Sequence, residues 1–153
     1  MALLIAVRVV TGARYGERMR VTMMLADAAH EVNGKLYILG GGWSVTGPVL
    51  PPMALALKLD VPWVDADQQH EFVLVLVDAD GHPVRVAGQD EEVRAGGTFQ
   101  VARPPGLPAG TDIDFAFAVT VGSLPLAAGR YAWQLWIDGE TAVDWQRPFQ
   151  VRG

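Results

Sequence analysis

The sequence predicts an all-β fold, an immunoglobulin-like antiparallel β-sandwich of about eight or nine strands. Apolar residues alternate with small or polar ones, turn dipeptides recur at short intervals, and one segment has the spacing of a tyrosine corner. The 153 residues include 17 glycines and 10 prolines, which long helices tolerate poorly. Half of the residues are hydrophobic, which is enough for a sizeable core.

The alternation is clearest in residues 53–60, 113–121 and 131–137. In each segment one parity is large and apolar and the other is mostly small or polar, as in a strand with one buried face. Trp133 has core parity, whereas Trp136 has the opposite parity. Residues 72–77 are apolar at both parities, which predicts a central strand covered on both sides. Further strands are predicted at residues 20–26, 35–39, 84–87, 98–101 and 143–151.

The dipeptide Asp138-Gly139 predicts a hairpin near the end of the chain. A two-residue loop would place apolar odd positions of one strand opposite polar even positions of the other. We therefore predict a three-residue loop, residues 137–139, with Gly139 at positive φ in a G1 bulge. In that register Trp133 faces Val143.

A tyrosine corner is predicted just before one strand. Leu126, Gly129 and Tyr131 have the Leu-x-x-Gly-x-Tyr spacing in which the phenol hydroxyl bonds to the backbone upstream. This motif favours an immunoglobulin-like sandwich over a closed barrel.

The chain is predicted to form a single domain over residues 19–153. Residues 1–18 are either an N-terminal extension that precedes Met19 or, at residues 3–10, an additional strand. The apolar content of this segment is compatible with both interpretations.

Composition and charge exclude several classes of protein. The chain has no cysteine, which excludes disulfides and thiolate metal sites and fits the cytoplasm. Its apolar runs are far shorter than the roughly 20 residues of a membrane span, and no secretory signal is recognisable. The net charge is −5 and the arginines are scattered, so we expect neither nucleic acid nor a membrane as a partner.

The sequence also contains no complete catalytic or metal-binding motif. Neither His30 nor His70 completes an H-E-x-x-H pattern, and no P-loop, dinucleotide fingerprint or nucleophile elbow is present. We therefore predict a protein that is not an enzyme, with no catalytic residue, no metal and no cofactor. A weak calcium site between loops of the sandwich stays open as an alternative, with four candidate ligands: Asp65, Asp67, Asp78 and Asp80.

The chain contains five tryptophans, and they are the feature of its composition that bears most on function. Exposed aromatic side chains are typical of protein interfaces and of sugar-binding platforms. The predicted function is therefore binding of a protein partner or of a second copy. The alternative is a small-ligand or carbohydrate-binding module, and an enzyme comes third. The candidate binding residues are Trp43, Ser44, Thr46, Trp63 and Trp136.

Two nearby segments carry a family resemblance. Residues 23–29 read Met-Met-Leu-Ala-Asp-Ala-Ala, and residues 34–43 read Gly-Lys-Leu-Tyr-Ile-Leu-Gly-Gly-Gly-Trp. Together they resemble the opening of an uncharacterised bacterial domain-of-unknown-function family. The resemblance implies a small bacterial β-rich protein and brings no activity, cofactor or site residue with it.

Overall fold

The computed structural model describes residues 18–86 and 88–153. The prediction for the N-terminal segment therefore lies, apart from Arg18, outside the described residues. A short 3-10 helix, Trp63–Asp65, precedes the fifth strand. Within the described residues nine strands form: β1 (Arg20–Val32), β2 (Lys35–Gly41), β3 (Val45–Thr46), β4 (Met53–Val61), β5 (Gln69–Asp78), β6 (Arg94–Gln100), β7 (Ile113–Val121), β8 (Gly129–Ile137) and β9 (Gln146–Val151).

The strands form two sheets that pack face to face. One sheet has the order β2-β1-β4-β7 and the other has the order β3-β9-β8-β5-β6. Neighbouring strands are antiparallel except β3 and β9, which are parallel. The odd positions of β4, such as Leu55 and Leu57, join Leu74 and Trp133 of the second sheet in one buried cluster. The predicted all-β sandwich of about nine strands is confirmed.

Strand parity sets the faces as predicted. Trp133 is buried between the sheets, whereas Trp136 is half-buried on the outer face of its sheet. In β5 both Leu74 and Val75 are buried although they point to opposite faces. This confirms that β5 is a central strand covered on both sides.

One predicted strand does not form, and several strand bounds differ from the prediction; the first strand ends at Val32 rather than at residue 26. Residues 84–86 do not form a strand. They lie in an irregular loop, where the backbone of Val84 makes single hydrogen bonds to Leu76 and to Val93. Ala87 lies outside the described residues. The sixth strand begins at Arg94 rather than at residue 98, and the last begins at Gln146 rather than at residue 143. Strand β3 was not predicted, since two residues carry no periodic signal.

The β8–β9 hairpin also differs from its prediction. Ile137 and Glu140 exchange backbone hydrogen bonds of 2.8 and 3.0 Å around Asp138 and Gly139. Both turn residues have positive φ, 51° and 79°, as in a two-residue type I′ turn. The predicted positive φ of Gly139 is confirmed, but the three-residue loop is wrong.

The core parity of β9 is restored after the turn instead of within it. Beyond Glu140 the chain makes a short excursion that leaves Val143 85% exposed, so Val143 does not face Trp133. Trp133 pairs with Arg147 instead. The register thereby moves by three residues, an odd number, which returns Trp145 and Phe149 to the core.

The predicted tyrosine corner is confirmed. The hydroxyl of Tyr131 donates a hydrogen bond of 2.7 Å to the carbonyl oxygen of Ala127. The ring of Tyr131 stacks on Phe149 with centroids 5.8 Å apart. The corner therefore fastens the loop before β8 to the strand itself.

We expect Tyr131→Phe to lower the free energy of unfolding by about 1 kcal/mol, the usual net value of one such hydrogen bond. The ring and its packing are kept, so the loss reports the hydroxyl alone. Urea unfolding followed by fluorescence measures the difference. Tyr37→Phe is the matched control, because Tyr37 is exposed and its hydroxyl makes no hydrogen bond with the described residues. Equal stability of the two variants would contradict a stabilising corner.

Strand β1 is longer than its partner β4 and continues into a hairpin that lies over the sheet. Residues 20–26 pair with β4, whereas residues beyond Ala26 pair only with β2. Residues 27–40, here called the β1–β2 arm, bend across the outer face of the first sheet. Ala29 and Leu36 of the arm form a buried cluster with three small residues of β4 and β7, Ala54, Ala56 and Ala118. Because these side chains are small, the arm backbone can lie close to the sheet.

Candidate functional site

The apolar surface of the described residues is concentrated on and beside the β1–β2 arm. Nine large hydrophobic residues are exposed in the described part of the chain. Four of them, Val32, Tyr37, Ile38 and Leu39, belong to the arm, and a fifth, Met24, lies just before it. Tyr37 and Leu39 are the most exposed of the five, at 59% and 71%. This density of exposed apolar side chains is typical of a docking surface.

Strand alternation explains why Val32, Tyr37 and Leu39 point outward, whereas Ile38 has the parity of Leu36. Leu36 faces the sheet, so Tyr37 and Leu39 on the same strand face away from it. His30 lies opposite Tyr37 on β1, and Val32 lies opposite Lys35, so the outward face continues across both strands.

The base of the arm is shaped by a glycine that cannot be replaced without a shift. Gly40 has a φ of 58°, and a Cβ placed on it would collide with the carboxylate of Asp27. Asp27 and Gly40 together mark the point where β1 and β2 leave the regular sheet. The first of the three consecutive glycines at residues 40–42 thus allows a bend.

Three of the predicted binding residues, Trp43, Ser44 and Thr46, lie together on the segment that crosses between the sheets. The carbonyl oxygens of Ser44 and Thr46 accept hydrogen bonds of 2.8 and 3.1 Å from the backbone N–H groups of Gln150 in β9 and of Arg152 just after it. Trp43 is half-buried, with its ring edge-on to Phe149 at 6.3 Å. Its indole Nε1 is buried and has no hydrogen-bond partner among the described residues. In this surrounding Trp43 covers the edge of the core.

Trp63 and Trp136 lie elsewhere. Trp63 begins the 3-10 helix, and the guanidinium of Arg103 covers its ring at 4.7 Å from the centroid. Trp136 lies on the outer face of the second sheet opposite Val73. The structure therefore brings Trp43, Ser44 and Thr46 into one segment, but it places the three tryptophans in three different surroundings.

A buried histidine that the sequence analysis assigned no role joins three parts of the fold. His70 is 4% exposed at the start of β5. Its Nδ1 lies 2.7 Å from Oδ2 of Asp138 in the β8–β9 turn, and its Nε2 lies 2.7 Å from the carbonyl oxygen of Asp65. The ring stacks on Phe99 at 5.2 Å. The partners are 5 and 68 residues away, so no local motif could reveal them.

Both ring nitrogens of His70 face oxygen acceptors, and only the protonated imidazolium can donate at both positions. Burial lowers the pKa of His70, but the hydrogen bonds to Asp138 and to the Asp65 carbonyl, together with the two nearby carboxylates, raise the pKa above its ordinary value. Burial also raises the pKa of the Asp65 carboxyl. The imidazole itself is buried, whereas the Asp138 side chain is half exposed, and the contacts join the β8–β9 turn to the start of β5.

The four aspartates of the calcium alternative are not brought together. Asp65 and Asp67 precede β5 and Asp78 ends it, so the two pairs lie at opposite ends of a 10-residue strand, about 30 Å apart. Asp78 and Asp80 approach His82 instead, with candidate ligand atoms within 4.8 Å of one another. In that turn one carboxylate oxygen of Asp78 accepts hydrogen bonds from two backbone N–H groups, of 2.9 and 3.0 Å, so the cluster is explained by the turn.

The part of the first sheet's outer face that the arm leaves uncovered is charged. Lys58 lies between Asp60 and Asp114, at 2.6 Å from the latter. Its hydrogen bonds to Asp114 and Asp60 raise the pKa of Lys58. Arg20 continues the network to Asp112 at 3.1 Å. The apolar arm thus borders a well-paired polar surface.

In the part of the chain that the structure describes, no helix has the length and apolar character needed to cross a membrane. The fold and this surface define a β-sandwich protein with an apolar arm. Residues 21–152 match the family of unknown function DUF6941. The chain belongs to this family, which agrees with the resemblance noted in the sequence.

Two further comparisons add no function. No curated protein matches the chain. Among solved structures, the chain is similar to Pseudomonas fluorescens alkylpurine DNA glycosylase AlkC bound to DNA containing an abasic site analog, with 16% identity and a TM-score of 0.37. That match covers 72% of this chain and 28% of the glycosylase chain. A likeness of this size carries no argument about the present protein.

Proposed function

We propose that this protein is a non-catalytic protein-binding module with an immunoglobulin-like sandwich, and that it docks through the outward face of the β1–β2 arm. One observation carries the proposal: five of the nine exposed large hydrophobic residues in the described part of the chain lie on or directly beside this arm, and three of them, Val32, Tyr37 and Leu39, share its outward face. Solvent exposure of such a patch is unfavourable unless a partner covers it.

The strand connectivity supports the immunoglobulin-like part of the proposal. Strands β4 and β7 are neighbours in one sheet, as B and E are in immunoglobulin domains. Strands β5, β8 and β9 are neighbours in the other, as C, F and G are, and the tyrosine corner lies at the start of β8. The lack of cysteine supports a cytoplasmic location as part of the same proposal.

The backbone of the arm favours a protein partner in particular. Among the described residues β2 pairs only with β1, so one edge of β2 is free to accept a strand from another chain. A free strand edge beside exposed apolar side chains matches a protein more closely than a small ligand. The carbohydrate-binding alternative has less support. The pocket beside Asp78 and Arg130 is lined by none of the candidate tryptophans Trp43, Trp63 and Trp136.

The proposal is tested by placing a photo-crosslinking amino acid at Leu39 in the source cell. We expect discrete crosslinked protein adducts from this position, identified by mass spectrometry. Val143 is the matched control, because it is also apolar and is 85% exposed but lies in the loop between β8 and β9. Adducts from both positions alike, or from neither, would contradict docking through the arm.

A further inference from the structure

We propose that the protein which covers the arm is a second copy of this chain, paired through β2 about a two-fold axis at Ile38. This inference rests on the proposed function and names its partner. In the dimer the two β2 strands run antiparallel, so that the two-stranded arms merge into one continuous four-stranded ribbon.

The backbone of β2 presents the required groups at its free edge. Val32 and Lys35 close the hairpin around Asn33 and Gly34, whose φ values of 51° and 77° define a type I′ turn. The closing pair of such a turn is hydrogen-bonded, and hydrogen-bonded and non-hydrogen-bonded pairs alternate from there along an antiparallel ladder. Ile38 therefore directs its N–H and C=O away from β1, where they can bond to Ile38 of the second copy.

The side chains in this register complement one another. With the axis at Ile38, Tyr37 of one copy faces Leu39 of the other, and each pair is formed twice. These pairs are of the non-hydrogen-bonded kind, in which side chains approach most closely. The two most exposed apolar residues of the arm therefore cover each other. Gly40, which has no side chain, faces Leu36 of the second copy and leaves room for it.

The charge at one end of the strand favours the same arrangement. Lys35 lies at the start of β2, where it is exposed and forms no ion pair with another described residue. The two-fold axis holds the two Lys35 residues about 20 Å apart along the strands, whereas parallel pairing in register would place them side by side. Repulsion between like charges therefore favours the antiparallel orientation.

The absence of cysteine from the sequence allows a test of the register itself. Two residues on the axis lie about 5.5 Å apart in a hydrogen-bonded pair, which is within the range that a disulfide bridges. We expect Ile38→Cys to form a covalent dimer under mild oxidation. Lys35→Cys is the matched control, since the two Lys35 positions lie about 20 Å apart along the strands. Reduced samples of both variants should unfold at the same temperature, which shows that neither substitution disrupts the arm.

Sedimentation of the full chain without substitutions completes the test. We expect a reversible monomer–dimer equilibrium that Leu39→Asp shifts at least tenfold towards monomer. A monomer at high micromolar concentration, or equal crosslinking of both cysteine variants, would overturn the dimer. A dimer that forms only after deletion of residues 1–18 would overturn it too, because the N-terminal segment would then cover β2. If the chain is a monomer but Leu39 crosslinks to a different protein in cells, the second copy is wrong and the proposed function stands.

Discussion

His70→Ala is expected to lower the free energy of unfolding by about 3 kcal/mol, because it removes a buried ring and leaves polar partners without their donor. The side chain joins the start of β5, the segment after β4 and the β8–β9 turn through two contacts of 2.7 Å. Urea unfolding near neutral pH measures the loss. A loss below about 1 kcal/mol would show that the carbonyl of Asp65 and the carboxylate of Asp138 find other donors.

The same contacts predict a pH dependence of stability. The pKa of His70 is raised in the folded protein, so the folded state binds the proton more tightly than the unfolded state. The stabilising contribution is therefore complete below the unfolded pKa of about 6.5, and it is lost as the pH rises through the higher folded pKa. We expect the free energy of unfolding of the unsubstituted protein to fall across this window, and that of His70→Gln to lack this fall.

Two control variants separate charge from structure in that measurement. His82→Gln should keep the pH dependence, because His82 is exposed. Asp138→Asn should keep the type I′ turn, since asparagine adopts positive φ readily, while it removes the charged acceptor of His70. We expect Asp138→Asn to reduce the pH dependence more than His82→Gln does, and the reverse order would contradict the assigned contact.

The second large effect is expected at the contact between the arm and the sheet. Ala56 is 2% exposed in the cluster with Leu36. Ala56→Glu would bury a carboxylate beneath the arm, and Lys58, two residues along the same face, is already bound to Asp60 and Asp114, so we expect a loss of about 3–4 kcal/mol or detachment of the arm. Chemical unfolding measures the loss, and hydrogen exchange of the Leu36 amide detects detachment.

Thr120→Glu is the matched control for that substitution. Thr120 lies on the same face of the sheet, opposite Ala54, but it is exposed. We expect this variant to change stability by less than about 0.5 kcal/mol. If Ala56→Glu were as mild, the arm would not be held against the sheet by these small residues.

The arm also shows how far the sequence could lead towards the candidate site. The sequence predicts a strand at residues 35–39 and a candidate binding residue, Trp43, just beyond it, since exposed aromatic side chains are typical of interfaces. In the structure Tyr37 and Leu39 are exposed, whereas Trp43 is half-buried. Their alternation with Leu36 was visible, but the face to which Leu36 points depends on a bend at Asp27 and Gly40 that no local pattern specifies.

The β8–β9 hairpin shows a related limit. For Trp133 and Trp145 to share the core, the alternation of side chains requires an odd number of residues beyond a two-residue hairpin loop. The structure has three such residues, and both tryptophans lie in the core. The extra residues lie after the type I′ turn rather than within it, around the exposed Val143. Alternation specifies the parity of an insertion, whereas its position depends on contacts that form only when the strands meet, such as the bond between the Thr141 hydroxyl and the Leu135 carbonyl.

The sequence by itself determined the fold class, the faces of the central strands and the tyrosine corner. Each of these follows from a period of two or from a spacing of a few residues, which local backbone geometry converts directly into structure. Only the tertiary structure decided the position of the arm and the burial of His70 beside Asp138. Those features depend on residues far apart in the chain, and their contacts exist only after the two sheets have packed.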